Sequence, residues 1–133
     1  MTIKAINSSD SYSLLKEGLK ASSLRGKAIA NNIANINTKN YKRDTVVFEE
    51  NLNKAISDFK LKKTNSKHLE NGENLGNITL AKDTSTSMRS DGNNVDLDIE
   101  KTNQAANTLK FNALVQQASG KLNNISYLIR GGR

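Results

Sequence analysis

The chain has 133 residues, of which 35% are hydrophobic and 5% aromatic, and its formal net charge is +7. So few apolar side chains favour elongated helices over a domain with a thick core. The absence of cysteine excludes disulfides, thiolate catalysis and thiolate metal ligands. No run of about 18 apolar residues occurs and residues 1–7 lack a hydrophobic signal segment, so we expect neither a membrane span nor a cleaved leader.

The first predicted element is a long helix that begins near Ser9 or Asp10, either of which could cap it, and ends near Ile36. Its apolar and small side chains alternate at spacings of three and four residues, which is the pattern of one helix seam. The seam comprises Tyr12, Leu15, Leu19, Ser22, Gly26, Ile29, Ile33 and Ile36. One such stripe cannot be buried by a lone helix, so a partner helix is required.

The end of this helix carries four asparagines, at positions 31, 32, 35 and 37. Asparagine has modest helix propensity and competes for backbone groups, so this crowding indicates side chains that bond to something else. We interpret the segment as an assembly motif that contacts a neighbouring subunit. The assembly motif comprises Ala30, Asn31, Asn32, Ile33, Ala34, Asn35, Ile36, Asn37, Thr38 and the following Tyr41.

The middle region, residues 41–94, changes character. Short strands are predicted over 46–48 and 78–81, with one or two helical turns over 49–59. Residues 60–77 are polar and contain turn signals, so we expect a mobile loop there.

The last predicted element is a second long helix, capped by Asp96 and followed by the stop signal Arg130-Gly131-Gly132. A second motif opens it and comprises Asp91, Gly92, Asn93, Asn94, Val95, Asp96, Leu97 and Asp98. The predicted seam of this helix comprises Leu97, Gln104, Thr108, Phe111, Val115, Ala118, Leu122, Ile125 and Ile129.

Two stripes of similar length, joined by a returning chain, predict a mainly α fold: an antiparallel, coiled-coil-like pair of terminal helices with short β-strands in an irregular middle region. Residues 1–40 and 95–133 would form the helix pair that serves as assembly core, and residues 41–94 a partly flexible middle. The expected register places Ser22 and Gly26 opposite Phe111 and Val115, small side chains against large ones.

Candidate chemistry is sparse. His68 is the single histidine and lies in the polar stretch. The sequence therefore predicts no set of metal ligands, no catalytic nucleophile with its base and no phosphate-binding loop. We expect no catalytic residue, no cofactor and no small-molecule substrate. A basic cluster over residues 60–67 is interpreted as a solvated loop, with contact to nucleic acid or an anionic surface as the alternative. The first half of the chain, residues 1–63, holds 12 basic and 6 acidic residues.

The assembly motif followed by Tyr41-Lys42 resembles the N-terminal signature of the flagellar axial proteins, the family of rod, hook and hook-filament junction subunits. The second motif is similar to the corresponding segment of the family's proximal rod member. The similarity extends to the residues that follow it, Glu100, Asn107, Phe111 and Leu114. The chain departs from the family pattern at Lys39-Asn40, where a small pair such as Pro-Gly is usual, and Asn40 tolerates the left-handed conformation that such a turn requires. It also departs after Glu100, where Lys101-Thr102 replaces a Met.

The resemblance implies a structural subunit of the bacterial flagellar basal body, exported through the flagellar type III apparatus without a cleaved signal and transmitting torque in motility. The implied partners are copies of itself, the other rod proteins, the rod-to-ring adaptor and the export apparatus, with no nucleic acid. The alternative is that the chain is a different rod protein of the same family.

Overall fold

A computed structural model shows a mainly helical protein with a small antiparallel sheet in its middle, which confirms the predicted fold class. The elements in chain order are α1 (Ser8–Ala34), β1 (Asp44–Val47), α2 (Glu49–Leu61), β2 (Thr79–Lys82) and α3 (Leu97–Ile129). The structure describes the backbone of residues 8–61, 77–85 and 89–131, and the side chains of residues 11–55, 77–85 and 89–131.

The two long helices pack side by side and run in opposite directions. Ser22 of α1 pairs with Asn107 of α3, and nearer the start of α1 the hydroxyl of Ser11 accepts a hydrogen bond from Lys121. Lower residue numbers in α1 therefore meet higher numbers in α3, as the predicted antiparallel hairpin requires. At about 1.5 Å per residue, the 27 residues of α1 span about 40 Å and the 33 residues of α3 about 50 Å.

Helix α3 begins and ends where local signals in the sequence predict. The carboxylate of Asp96 caps its N-terminus by accepting hydrogen bonds from the N–H groups of Asp98 at 2.9 Å and Ile99 at 3.3 Å. At the other end the chain leaves the helix at Arg130, and Gly131 adopts a φ of 71°, which glycine reaches without strain.

The middle region is a two-stranded sheet with a short helix between its strands in the sequence. β1 pairs with β2 in an antiparallel register that places Asp44 opposite Lys82. Directly after β1, Phe48 is buried and its carbonyl accepts the N–H of Leu52 as α2 begins. These elements confirm the strands predicted near 46–48 and 78–81 and the helix predicted from residue 49.

Some predictions fall on residues outside the described ranges. Residues 62–76 hold most of the predicted loop, most of its basic cluster and His68, and those predictions remain untested. Within the described ranges, no helix combines the length and the hydropathy needed to cross a bilayer.

The side of α3 that is most covered by α1 lies beside the predicted seam. On α1, Ile29 is buried and Leu15, Leu19 and Ile33 are partly buried, as expected of its seam. On α3, the partly buried side chains after Glu100 are Asn107, Leu114, Ala118, Lys121 and Ser126. The predicted seam residues Phe111, Val115, Leu122 and Ile125 are 38%, 39%, 50% and 42% exposed. These four residues therefore lose half or more of their surface in the folded chain without being fully buried, and their role as the helix seam stays a prediction.

Close contact at small α1 residues sets the rotation of α3. Asn107 accepts a hydrogen bond from the Ser22 hydroxyl at 2.9 Å and donates one to the Ser22 carbonyl at 3.0 Å. Leu114, seven residues later and so on the same side of the helix, lies 3.5 Å from the position of a Cβ built on Gly18. Because Asn107 and Leu114 occupy this contact, the more apolar stripe of α3 lies beside it and stays partly exposed. Ser22 thus meets Asn107 rather than Phe111, one helical turn from the predicted register.

Candidate functional site

The assembly motif and the second motif belong to one buried polar cluster, which begins at Asn32. This side chain is 1% exposed. Its Oδ1 accepts hydrogen bonds from the Asp44 N–H at 2.9 Å and the Tyr41 hydroxyl at 3.1 Å. Its Nδ2 donates to the Asp44 carbonyl at 2.9 Å and to Glu100 Oε2 at 3.3 Å. Since it pairs with both backbone groups of Asp44, Asn32 acts as a strand partner for the first residue of β1 and connects α1 to both β1 and α3.

Glu100 supplies a buried charge to the same cluster. The residue is 2% exposed, and its Oε1 lies 3.5 Å from Nη1 of Arg43. The other guanidinium nitrogen of Arg43 lies 3.1 Å from the Asp83 carboxylate, and the Arg43 carbonyl accepts the Asp83 N–H at 2.8 Å. A buried carboxylate is tolerated only when it is paired and hydrogen-bonded, which Arg43 and Asn32 accomplish here. We name Asn32, Tyr41, Arg43, Asp44 and Glu100 the polar clamp.

Asn93 closes the end of α1. It is 0% exposed, and its Nδ2 lies 3.0 Å from the carbonyl oxygens of Asn35 and Ile36 and 2.9 Å from that of Thr38. Its Oδ1 accepts the N–H of Val95 at 2.8 Å. Carbonyls beyond the last helical turn have no partner within the helix, and this one carboxamide satisfies them. The helix therefore ends at Ala34, two residues before the predicted end.

The two motifs also contact each other through their backbones. The N–H of Asn40 donates to the Asp91 carbonyl at 2.9 Å, and Asn40 has a φ of 59°. Gly92 has a φ of 79°, and a Cβ built on it would lie 2.5 Å from Asn40 Oδ1. The left-handed conformation expected for Asn40 is confirmed, and Gly92 leaves the space that the Asn40 side chain fills.

The remaining residues of the second motif hold the sheet and start α3. Asn94 accepts the Arg43 N–H at 2.8 Å and donates to the Asp83 carbonyl at 2.9 Å, so it links the ends of both strands. Val95 is buried. Asp91, Gly92, Asn94 and Leu97 are partly buried, whereas Asp96 and Asp98 are exposed. The second motif is thus mainly a set of contacts within the chain.

Asn32 is the asparagine of the assembly motif that the structure buries, and contact of the motif with another subunit stays a prediction. Asn32 is buried in the polar clamp, and Asn35 donates to the Asn31 carbonyl at 2.9 Å and accepts from the Thr38 hydroxyl at 3.2 Å. Asn32 thus bonds to residues distant in sequence, whereas the side-chain hydrogen bonds of Asn35 join it to residues three and four positions away. The exposed members of the motif are Ala30, Asn31, Ala34, Asn37 and Thr38, and Ile33, Ile36 and Tyr41 are partly buried. Contact with another subunit can therefore involve the exposed members.

A second charged cluster joins α2 to both long helices. One carboxylate oxygen of Glu49 lies 2.6 Å from Lys110 Nζ of α3, and the other lies 2.7 Å from Arg25 Nη2 of α1. Partial burial would raise the pKa of Glu49, but hydrogen bonds from Lys110, from its own backbone N–H and from Arg25 lower that pKa from 4.5 to about 2. The ionised Glu49 therefore holds the first turn of α2 across the helix pair.

This cluster predicts a pH dependence of stability. A lowered pKa means that the contribution of Glu49 is complete above about pH 4.5 and is lost as the pH falls toward 2. Glu49→Gln should lower the free energy of unfolding at neutral pH by about 1 kcal/mol or less, because the groups are partly exposed. It should also flatten the fall in stability on acidification, as measured by urea unfolding at several pH values. Glu50→Gln, at the exposed neighbour, is the matched control and should retain the wild-type slope; an unchanged slope for Glu49→Gln would contradict the assignment.

Sequence reasoning missed Arg43, Asp44 and Asp83 as members of the site. Arg43 and Asp44 lie two and three residues after the assembly motif, and Glu100 lies two residues after the second motif. A cation beside one motif and a carboxylate beside the other indicate that the two motifs pair in the fold, because a buried carboxylate needs a cation as its partner. The contact of Asp83 with Arg43 depends on the strand register and has no local signal.

The chemistry of the site is structural. In the described part of the chain, no three His, Cys, Asp or Glu residues lie close enough together to hold a metal ion. Most buried polar atoms of the site bond to the protein's own backbone and side chains and fix a helical hairpin, whereas Arg43 Nε and Asp44 Oδ1 are buried without a hydrogen-bond partner among the described residues. A long two-helix subunit of this kind has a partly exposed apolar helix face. It is typical of structural proteins that bury such a face against neighbouring subunits in an assembly.

Comparisons with known proteins give the family. The family model described as Flagella basal body rod protein matches residues 15–42, from α1 through the assembly motif. The flagellar basal body rod protein FlgB of Bacillus subtilis is 35% identical over 119 residues, which are 90% of this chain and 92% of that protein. FlgB of Borrelia hermsii is 32% identical over 129 residues, 90% of this chain and 96% of its own length. The chain belongs to the FlgB family of flagellar basal body rod proteins, and it is a structural subunit of the rod.

Proposed function

We propose that the chain forms the proximal end of the rod, where it passes torque between the motor and the rest of the axis, and that it catalyses no reaction. The observation that carries this proposal is similarity over nearly the whole length to proteins that all bear the name FlgB. The same relatives favour this role over that of a neighbouring rod protein of the family. The division into an assembly core of residues 1–40 and 95–133 and a middle of 41–94 is part of the proposal.

The proposed partners are further copies of the chain, the other rod proteins, the rod-to-ring adaptor and the type III export apparatus. The two faces available for them are the exposed members of the assembly motif and the apolar side of α3. Asn31 and Asn37 each offer both a donor and an acceptor, which suits specific contacts between subunits.

The polar clamp supports a mechanical role. Torque can pass through a subunit only if its parts do not shift against one another under load. Asn32, Arg43 and Asn93 connect α1, the sheet and the start of α3 by hydrogen bonds of 3.5 Å or less between buried or partly buried groups. The hydrogen bonds that join the elements are therefore concentrated at the clamped end of the described hairpin, and the thinner contact farther along the helices leaves surface for neighbours.

Deletion of the gene in the parent bacterium tests this function. Deletion should abolish swimming and leave membrane rings without a rod in cryo-electron tomograms, and the wild-type gene on a plasmid should restore both. In a strain that lacks a distal rod protein, the tagged chain should still copurify with the basal body if it lies at the proximal end. Complete rods in the deletion strain would contradict the rod role, and loss of the tagged chain from the second strain would contradict the proximal position.

A further inference from the structure

The edge of β1 that faces away from β2 carries backbone groups that the chain uses only in part. In an antiparallel pair of strands, hydrogen-bonded and non-hydrogen-bonded positions alternate. The bond from the Asp83 N–H to the Arg43 carbonyl at 2.8 Å makes residue 43 a bonded position. Asp44 and Val46 therefore direct their N–H and carbonyl groups away from β2. The bonds of Asn32 to both backbone groups of Asp44 agree with this alternation.

The backbone groups of Val46 have no such partner. Helix α1 runs along this edge of β1, because the bonds of Asn32 hold it at the start of the strand and the bond of Arg25 to Glu49 holds it just after the end. Between these contacts α1 presents the methyl group of Ala28, which cannot form a hydrogen bond. No other residue within the described ranges bonds to the N–H or the carbonyl of Val46.

A cavity of about 370 Å³ lies between this edge of β1 and the two long helices. Val46 and Ala28 line it, and Asn103 lines it from α3. Asn103 is exposed, and its carboxamide has no hydrogen-bond partner among the residues that the structure describes. The cavity thus brings together an unpaired backbone N–H, an unpaired carbonyl and an unpaired carboxamide.

The charges around the cavity favour a neutral occupant. Its lining holds three cations and three carboxylates: Arg25, Arg43, Lys110, Asp44, Glu49 and Glu100. A charged group that entered would add an uncompensated charge to a partly buried site, which costs free energy. A carboxamide is neutral and both donates and accepts hydrogen bonds. Asn32 already pairs with the same edge of β1 in this way, one pleat earlier.

The chain carries a suitable carboxamide at a different place on its surface, at Asn37. This residue lies in the turn after α1, its side chain is exposed, and the carboxamide has no partner in the described part of the chain. A convex turn can enter a cavity, whereas Asn31, the other exposed asparagine of the assembly motif, lies on the flank of α1. A contact between the turn of one copy and the cavity of another is heterologous, and such contacts add copies head to tail.

We infer that the carboxamide of Asn37 of a second copy enters this cavity and pairs with β1. It accepts a hydrogen bond from the Val46 N–H and donates one to the Val46 carbonyl, and Asn103 bonds to its remaining donor or acceptor. This inference rests on the proposed function and deepens it, because it names the surface on which one copy receives the assembly motif of another.

Cysteine pairs in assembled rods test which groups meet. The chain has no native cysteine, so the pair Asn37→Cys with Asn103→Cys reports on these two positions alone. After oxidation of isolated basal bodies, this variant should give disulfide-linked multimers of the chain on non-reducing electrophoresis. The matched control is Asn37→Cys with Gln104→Cys, because Gln104 is an exposed neighbour that does not line the cavity. It should give at least about five-fold less multimer, since disulfides form only at short separations.

Alanine variants test whether the contact supports assembly. Asn103→Ala should leave the urea midpoint of the purified protein unchanged, because the side chain is exposed and bonds to no described residue. It should lower the amount of the chain in isolated basal bodies by about two- to ten-fold, the effect of one lost amide pair. Asn37→Ala should have the same effect, and the double variant no larger one, because both remove one contact. Gln104→Ala is the matched control and should assemble as wild type does.

Three results would overturn the inference. They are equal cross-linking of the two cysteine pairs, cross-links from position 103 exclusively to a different protein as identified by mass spectrometry, and additive effects of Asn37→Ala and Asn103→Ala on assembly. None of these results would alter the outcome of the gene deletion, so failure of the inference is distinguishable from failure of the rod function.

Discussion

Asn32→Ala should lower the free energy of unfolding by about 3 kcal/mol. The substitution removes four hydrogen bonds and leaves the N–H and carbonyl of Asp44 without their partner. It also removes one of the two groups that stabilise the buried carboxylate of Glu100. Urea unfolding followed by circular dichroism measures the change, and loss of helix content without denaturant counts as the same outcome.

Asn31→Ala is the matched control for this prediction. Asn31 is the preceding residue of the same helix and the same motif, but its side chain is exposed. Its replacement should change the free energy of unfolding by less than about 0.5 kcal/mol, as is usual for surface positions. Equal effects of the two substitutions would show that the polar clamp does not stabilise the isolated subunit.

The same pair of variants separates folding from assembly in cells. Asn32→Ala should impair swimming because less of the chain is folded, and the loss should parallel the loss of stability. If Asn31 contacts a neighbour in the rod, Asn31→Ala should impair swimming while the purified protein remains as stable as wild type.

The sequence predicts the helix ends well because their signals are local. Asp96 is a capping residue whose partners lie within three residues of it, and Gly131 relieves strain at its own position. The predicted end of α1 lies two residues beyond the observed end, because the end is set by Asn93, which lies 57 residues after Ile36 in the chain. The sequence pattern therefore predicts the end of a helix only where the capping residue lies close to that end in the sequence.

The site was predicted in part. The crowded asparagines correctly indicate side chains that need partners, but the sequence does not say whether those partners belong to the same chain. For Asn32 the decisive contacts are Asp44, which is 12 residues away, and Glu100, which is 68 residues away. These residues come together only in the folded chain. The sequence pattern of an internal polar clamp therefore resembles the pattern of a contact with another subunit.

The rotation of α3 shows the limit of hydrophobic periodicity. A periodicity search selects the most apolar stripe and assigns it to the nearest partner, which here is α1. The Ser22 and Asn107 pair instead places a side of α3 that begins with polar residues against α1, and the neighbouring apolar stripe stays partly exposed. In a subunit that is completed by its neighbours, the most apolar face need not be the one buried within the chain.

A disulfide between α1 and α3 should form readily and stabilise the subunit. The chain has no native cysteine, so Ser22→Cys with Asn107→Cys introduces a single pair at positions whose side chains are in hydrogen-bond contact. The bond would close a loop of 85 residues, which by chain entropy raises the free energy of unfolding by up to about 4.5 kcal/mol, less the contribution of the lost hydrogen bonds. The matched control is Ser22→Cys with Gly120→Cys, because the Cβ position of Gly120 contacts nothing within 4 Å.

Non-reducing electrophoresis and mass spectrometry of these two variants test most directly whether the terminal helices close on each other within one subunit. The structure predicts a compact, oxidised monomer for the 22 and 107 pair and reduced monomer for the 22 and 120 pair. Dimers linked between chains for the first pair, or equal closure of both pairs, would contradict the hairpin.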